Sequence, residues 1–284
     1  MKKLVTLVSL LCLGLVFAAP ALAAEKKPVR LVYVEWPCAV VTTYIAKVVI
    51  EEKLGYPCEV LPVSVAVKYQ SLALGEADGT VCAWLPNTQK NYWEKVKGTV
   101  EDLGAIVGGA RLGWVVPDYV SYRSIEDLKG KAKEFDGKIY GIDPGAEYME
   151  SSEKAIKGYG LDGFELVEGS DAVMVAMLAD AIKRKQPIVV TGWAPHWKFG
   201  RWDLHFLEDP KGYFGTAEEI HTLVRKGFKE DMPEVYNFLD KFAYLDTKQL
   251  QTLMAENEEP GADAMENARK FVREHAEQVD SWLK

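Results

Sequence analysis

The sequence predicts an α/β fold in two lobes, a clamshell in which each lobe is a sheet flanked by helices. Two observations predict it. Strand and helix signals alternate, first as β-α-β-α-β over residues 30–84 and again in a second block that starts at residue 113, the pattern of a doubly wound sheet. Three apolar runs also end in Trp with Pro one or two residues on: 31–36 with Trp36 and Pro37, 80–84 with Trp84 and Pro86, and 188–193 with Trp193 and Pro195. Proline lacks the N–H a sheet ladder needs, so it stops a strand and places each Trp at a carboxyl end. In open α/β sheets that edge is where ligands bind.

Each element follows in order. Lys2 and Lys3, an apolar run over 4–17 and the small-x-small site Ala21-Leu22-Ala23 read as a signal peptide over residues 1–24, so the mature chain is expected to be periplasmic and soluble. Residues 30–36 read as a strand. Residues 40–53 read as a helix with Val41, Ile45, Val48 and Val49 near the 3.6-residue period and Gly55 beyond its end. A strand at 58–65, a short helix at 67–75 and a strand at 79–84 complete the first block. In the second, Ser124 and Asp127 form a capping box, a strand at 138–142 ends at Asp143-Pro-Gly145, and a helix covers 147–158. A strand at 164–167, a helix from Ser170 to 184 and a strand at 188–192 lead to Trp193. Further strands are expected at 204–207 and 220–224. From 231 the chain reads as helical, with a last helix over 261–283. The expected lobes are 25–112 and 113–224, with the helices of 225–284 returning to the first.

Composition excludes some functions. The formal net charge is −8 with no basic stripe, which argues against a nucleic-acid partner. No Ser/His/Asp, Cys/His or His/Glu pattern emerges, so neither an enzyme nor a metal site is expected, and no cofactor is implied. His196 reads as a structural or rim histidine. Three cysteines remain in the mature chain, Cys38, Cys58 and Cys82. They are either buried thiols or include one disulfide, for which Cys38 and Cys82 lie near two of the tryptophans.

The tryptophans carry the chemistry. Indole offers the strongest aromatic face to a cation. Trp36, Trp84 and Trp193 at strand ends suggest a box that selects a cation with no N–H to donate. Trp114, near the lobe boundary, is a fourth wall or a core residue. The turn 143–148 leads into a helix, whose first N–H groups favour an anion. The N–H groups of Glu147 and Tyr148 are the candidates, although the Glu147 side chain adds a carboxylate beside them.

Several stretches then resemble one family: Val34-Glu-Trp36, Ala83-Trp-Leu-Pro-Asn-Thr88, Gly113-Trp-Val-Val-Pro117, Gly141-Ile-Asp-Pro-Gly145, Thr191-Gly-Trp-Ala-Pro-His-Trp197 and Leu207-Glu-Asp-Pro-Lys211. The chain resembles the glycine-betaine and quaternary-ammonium substrate-binding proteins of ABC importers. The resemblance implies a type II periplasmic-binding-protein fold, a cage of Trp36, Trp84 and Trp193 around a trimethylammonium head, and a carboxylate held by the N–H groups of Glu147 and Tyr148. It also implies a permease and an ATPase as partners; a monomer is expected. Two positions depart from the family's betaine binders: Gln89 stands where a His is expected five residues after the second cage Trp, and Glu147 where Gly is common. Both suit choline or trimethylamine N-oxide better than glycine betaine. The competing readings are an exported module that reports ligand to a membrane receptor and an exported small-metabolite enzyme.

Overall fold

Val29–Tyr33, the apolar run that opens the described residues 26–284 of this computed structural model, forms β1; the expected signal peptide lies outside the described residues. Proline at the first helical position starts α1 (Pro37–Val48), where its missing N–H is not needed. A π-turn over Val49–Lys53 continues α1 before the chain enters β2 (Cys58–Pro62). Ser64 caps α2 (Val65–Leu74), its side chain accepting from the Val67 N–H, and Gly75 ends the helix at φ +72°, a left-handed conformation that suits a residue without Cβ. β3 (Gly79–Leu85) is buried at every position, as a strand covered on both faces must be. A short α3 (Lys90–Val96) follows.

β4 (Val100–Pro117) is the longest strand, at 18 residues. The second block then runs through β5 (Lys138–Tyr140), α4 (Glu147–Tyr159), β6 (Glu165–Val167), α5 (Asp171–Arg184), β7 (Val189–Ala194), α6 (Lys198–Arg201) and β8 (Leu204–Phe206). After β9 (Glu218–Arg225) the chain is helical: α7 (Phe228–Asp231), α8 (Pro233–Lys241), α9 (Thr247–Asn257), α10 (Ala264–Glu274) and α11 (Ala276–Trp282).

Strand order is β2-β1-β3-β9-β4-β7-β5-β6, with β8 beside β4. The pairing has an internal echo. β1 runs parallel between β2 and β3, and β5 runs parallel between β6 and β7. Each trio then meets an antiparallel strand, β9 beside β3 and β4 beside β7. The first part of β4 pairs with β9 and the last part with β7 and β8, so one strand serves both sets. Among the C-terminal helices, α9 and α10 pack on α1 of the first set.

The structure departs from the sequence reading in five places. α3 and the first part of β4, up to residue 112, occupy a stretch read as neither strand nor helix. The residue 113 that opened the second block falls inside β4. β9, placed with the second block, hydrogen-bonds to β3 and to the first part of β4. The expected last helix is two helices separated at His275. Trp36 lies beyond β1 as the residue that starts α1, whereas Trp84 and Trp193 are the penultimate residues of β3 and β7.

Candidate functional site

Those three indoles line a single cavity. Trp36, Trp84 and Trp193 are 7%, 2% and 4% exposed, so each is desolvated, the condition under which a cation gains most from an aromatic face. Val65, Leu112, Ile142 and Ala146 complete the apolar wall. The strand geometry explains the convergence: β3 and β7 are equivalent members of the two trios, and Trp36 follows β1 at the start of a helix.

Trp193 is held from behind. The His196 ring meets it edge-on at 4.8 Å, and the Lys198 ammonium lies 4.4 Å from the indole centroid. Nδ1 of His196 accepts the Lys198 N–H at 3.1 Å, so Nε2 carries the proton and donates to Asp171 at 3.2 Å. Burial pulls the His196 pKa down to about 4, and the Lys198 charge works in the same direction. His196 is therefore a neutral, structural histidine at physiological pH.

The polar end of the cavity is formed by Gln89, Glu147 and Thr88. Oε1 of Gln89 accepts from Lys68 Nζ at 2.9 Å, from the Tyr69 hydroxyl at 2.8 Å and from the Trp84 N–H at 3.3 Å. Its Nε2 is buried and has no protein partner. Oε2 of Glu147 is likewise buried and unpartnered. Burial raises the Glu147 carboxyl above its usual range, opposed by hydrogen bonds from Asn91. Four buried side-chain atoms of the lining residues thus have no protein partner, the donors Gln89 Nε2, Trp36 Nε1 and Trp84 Nε1 and the acceptor Glu147 Oε2, groups that cost free energy when left unmatched.

Glu147 also opens α4, whose N-terminus has no side-chain cap. The first N–H groups of a helix have no intrahelical acceptor, so those of Glu147 and Tyr148 are open where these residues border the cavity. The Tyr148 hydroxyl is otherwise engaged, bridging Gly113 and Gly192. Thr88 is fixed by Glu218, a buried carboxylate that accepts the N–H groups of Asn87 and Thr88 at 3.2 and 2.9 Å. The Tyr92 hydroxyl donates to the Gly145 carbonyl at 2.9 Å, tying α3 to the turn before α4.

Of the residues singled out from sequence, six border this cavity: Trp36, Trp84, Trp193, Gln89, Glu147 and Tyr148. Trp114 does not. It is 0% exposed, its Nε1 donates to Ser152 at 3.1 Å, and it packs against Phe214. Cys38, Cys58 and Cys82 are free and buried, with the Cys38 and Cys82 sulfurs 3.6 Å apart. The sequence reading missed Lys68, Val65, Thr88, Leu112, Ile142 and Ala146. For Lys68 a signal existed: it shares the buried face of α2 with Val65, Tyr69 and Leu72, a place where a lone lysine needs a reason.

No helix of the described residues is long and apolar enough to cross a membrane. Comparison with known proteins places this geometry. Residues 27–274 match the family described as the substrate-binding domain of ABC-type glycine betaine transport systems. A glycine betaine/carnitine transport binding protein of Listeria monocytogenes is 44% identical over 146 residues, 51% of this chain; the match spans 48% of that protein, about half its length. Lactococcal OpuAC, solved closed with glycine betaine, superposes with a TM-score of 0.85 at 41% identity, over 91% of this chain and all of that one (100%). A choline-binding ABC-transporter protein in complex with choline superposes with a TM-score of 0.82 at 28% identity, over 90% of this chain and 91% of that one.

Proposed function

Since the chain belongs to the family of substrate-binding domains of ABC-type glycine betaine transport systems, with the type II periplasmic-binding-protein fold, we propose that its cavity takes a trimethylammonium compound bearing a hydroxyl group, choline by chemistry. The family's proteins serve import and work outside the cytoplasmic membrane. In this reading Trp36, Trp84 and Trp193 enclose the ammonium head, which has no N–H to leave unpaired. Desolvated cation–π contact contributes about 2 kcal/mol or more per good face, and the methyl groups bury apolar surface besides.

One observation carries the choice of ligand: the cavity's polar end has both an unpaired donor, Gln89 Nε2, and an unpaired acceptor, Glu147 Oε2. A hydroxyl accepts from the first and donates to the second. A carboxylate only accepts, and beside an ionised Glu147 it is repelled. The two strand sets act as lobes, 25–112 with 225–284 against 113–224, that close over the ligand. Delivery is to the permease and ATPase of an importer. β9 is the exception to those bounds, since it pairs with the first set.

A second reading has its own observation. The uncapped start of α4 offers backbone N–H groups to a carboxylate, and the lactococcal structure at 41% identity holds glycine betaine. Calorimetric titration of the purified mature chain with choline, trimethylamine N-oxide, glycine betaine and carnitine separates the two. Choline binding tightest supports the alcohol. Glycine betaine binding tightest puts the second reading in its place, and binding of none removes both.

A further inference from the structure

We propose that Lys68 is a positioning residue that fixes the Gln89 carboxamide in the orientation that leaves its Nε2 for the ligand oxygen. The proposal rests on the reading of the cavity as a site for a trimethylammonium alcohol. A carboxamide can turn by half a rotation and exchange its acceptor for its donor. Around Gln89, three donors converge on Oε1: the Lys68 ammonium at 2.9 Å, the Tyr69 hydroxyl at 2.8 Å and the Trp84 N–H at 3.3 Å. The Tyr69 hydroxyl can rotate to accept instead. The ammonium cannot, because it has three donors and no lone pair. A turned Gln89 would set its NH₂ against that charge.

Lys68 is itself immobilised for this task. It is 0% exposed, its Nζ also donates to the Cys82 carbonyl at 3.0 Å, and it sits 5.0 Å from the Tyr69 ring centroid. A buried lysine is costly unless it is hydrogen-bonded, and these contacts are its partners. The Trp84 N–H, at the longer distance, is the weaker restraint. With Oε1 held on the Lys68 side, Nε2 is the group left over at the cavity, buried and without a protein partner. The charge that recognises the ligand's oxygen thus acts at one remove, through an amide.

The test compares choline with tetramethylammonium, which carries the same cationic head and no oxygen. Affinities are measured by calorimetry in the unmodified protein, Lys68→Met, Gln89→Leu and the double variant. Choline affinity is expected to fall roughly tenfold in each single variant and no further in the double one, while tetramethylammonium changes less than about twofold. Equal losses for both probes in Lys68→Met show a merely structural lysine and overturn the proposal, as does no loss for either. If the unmodified protein binds neither probe, the cage reading fails; if it binds both and Lys68→Met leaves their ratio unchanged, only the role of Lys68 fails. The Gln89 side-chain amide, followed by NMR in the unmodified protein, gives the same test without a substitution in the core. Its protons are expected to shift with choline and not with tetramethylammonium; shifts with both, or with neither, overturn the proposal.

Discussion

The Tyr148 hydroxyl lies 2.9 Å from both the carbonyl oxygen and the amide nitrogen of Gly192. Gly192 pairs with Gly113 across β7 and β4, and the Gly113 N–H reaches the same hydroxyl at 3.2 Å. One phenol from the first turn of α4 therefore stitches the strand pair that leads into Trp193. Tyr148 borders the cavity, but its polar atom is spent on the sheet. Tyr148→Phe is expected to lower stability by about 1–3 kcal/mol, the cost of leaving buried backbone groups unmatched. Urea unfolding measures it, and an unchanged midpoint would show the stitch to be dispensable.

Glu147→Gly removes the acceptor at the polar end and the charge beside the α4 N-terminus. Choline affinity is expected to fall roughly tenfold or more, the worth of one charge-assisted hydrogen bond, and glycine betaine affinity to rise. An unchanged ranking of the two ligands would make Glu147 a bystander. The same group sets a pH dependence. Its carboxyl is raised by burial, so it protonates above the usual carboxylate range. As pH falls through that point, choline affinity should drop and betaine affinity improve, both effects being absent from the Gly variant.

Trp36→Ala and Trp84→Ala are each expected to weaken binding of any quaternary ammonium by roughly tenfold or more, since a desolvated face is worth about 2 kcal/mol. Trp114→Phe is the contrasting case. It breaks the bond to Ser152 and lowers thermal stability, while ligand affinity stays within about twofold because additivity holds for non-contacting sites. A loss in Trp114→Phe equal to that in Trp36→Ala would place Trp114 in the cage after all. Trp fluorescence on ligand addition reads all three variants.

His196 gives stability a pH slope. Its pKa is 6.5 ordinarily and about 4 in the folded chain, so between those values the unfolded chain binds a proton that the native chain refuses. Stability is full above pH 6.5 and falls as pH drops through the window, by about 3 kcal/mol in all. The difference in urea midpoint between pH 7 and pH 4.5 should shrink in His196→Gln. A slope that the variant leaves intact would assign the effect to other groups.

How far the sequence spoke depended on how local the cause was. β1, β3 and β7 were legible because each is apolar, short and ended by a breaker. Glu147 was legible through its position after the Pro-Gly turn, and Gln89 only through the family resemblance. β4 was not, because Gly104, Gly108, Gly109 and Gly113 break its apolar pattern and its partners lie far along the chain. Trp114 read as a residue at the start of a strand near the lobe boundary, yet it sits inside β4, paired with Thr191 of β7 and accepting the Leu207 N–H. Lys68 went unread because its reason for burial, the amide of Gln89, is brought to it only by the fold.

The pairing of β9 has a consequence for when the site can exist. β9 gives β3 its antiparallel neighbour, Gly79 facing Val224, and gives β4 its own, Val100 facing Arg225. The strand that holds Trp84 thus lacks one edge until synthesis has passed residue 225. Pairings that distant in sequence close slowly. A chain stopped before β9 would contain all three indoles and still lack the strand that joins the β3 trio to β4. The candidate site is therefore among the last features of the molecule to be completed as the chain is made, since the strand that links its two walls comes from the final quarter of the sequence.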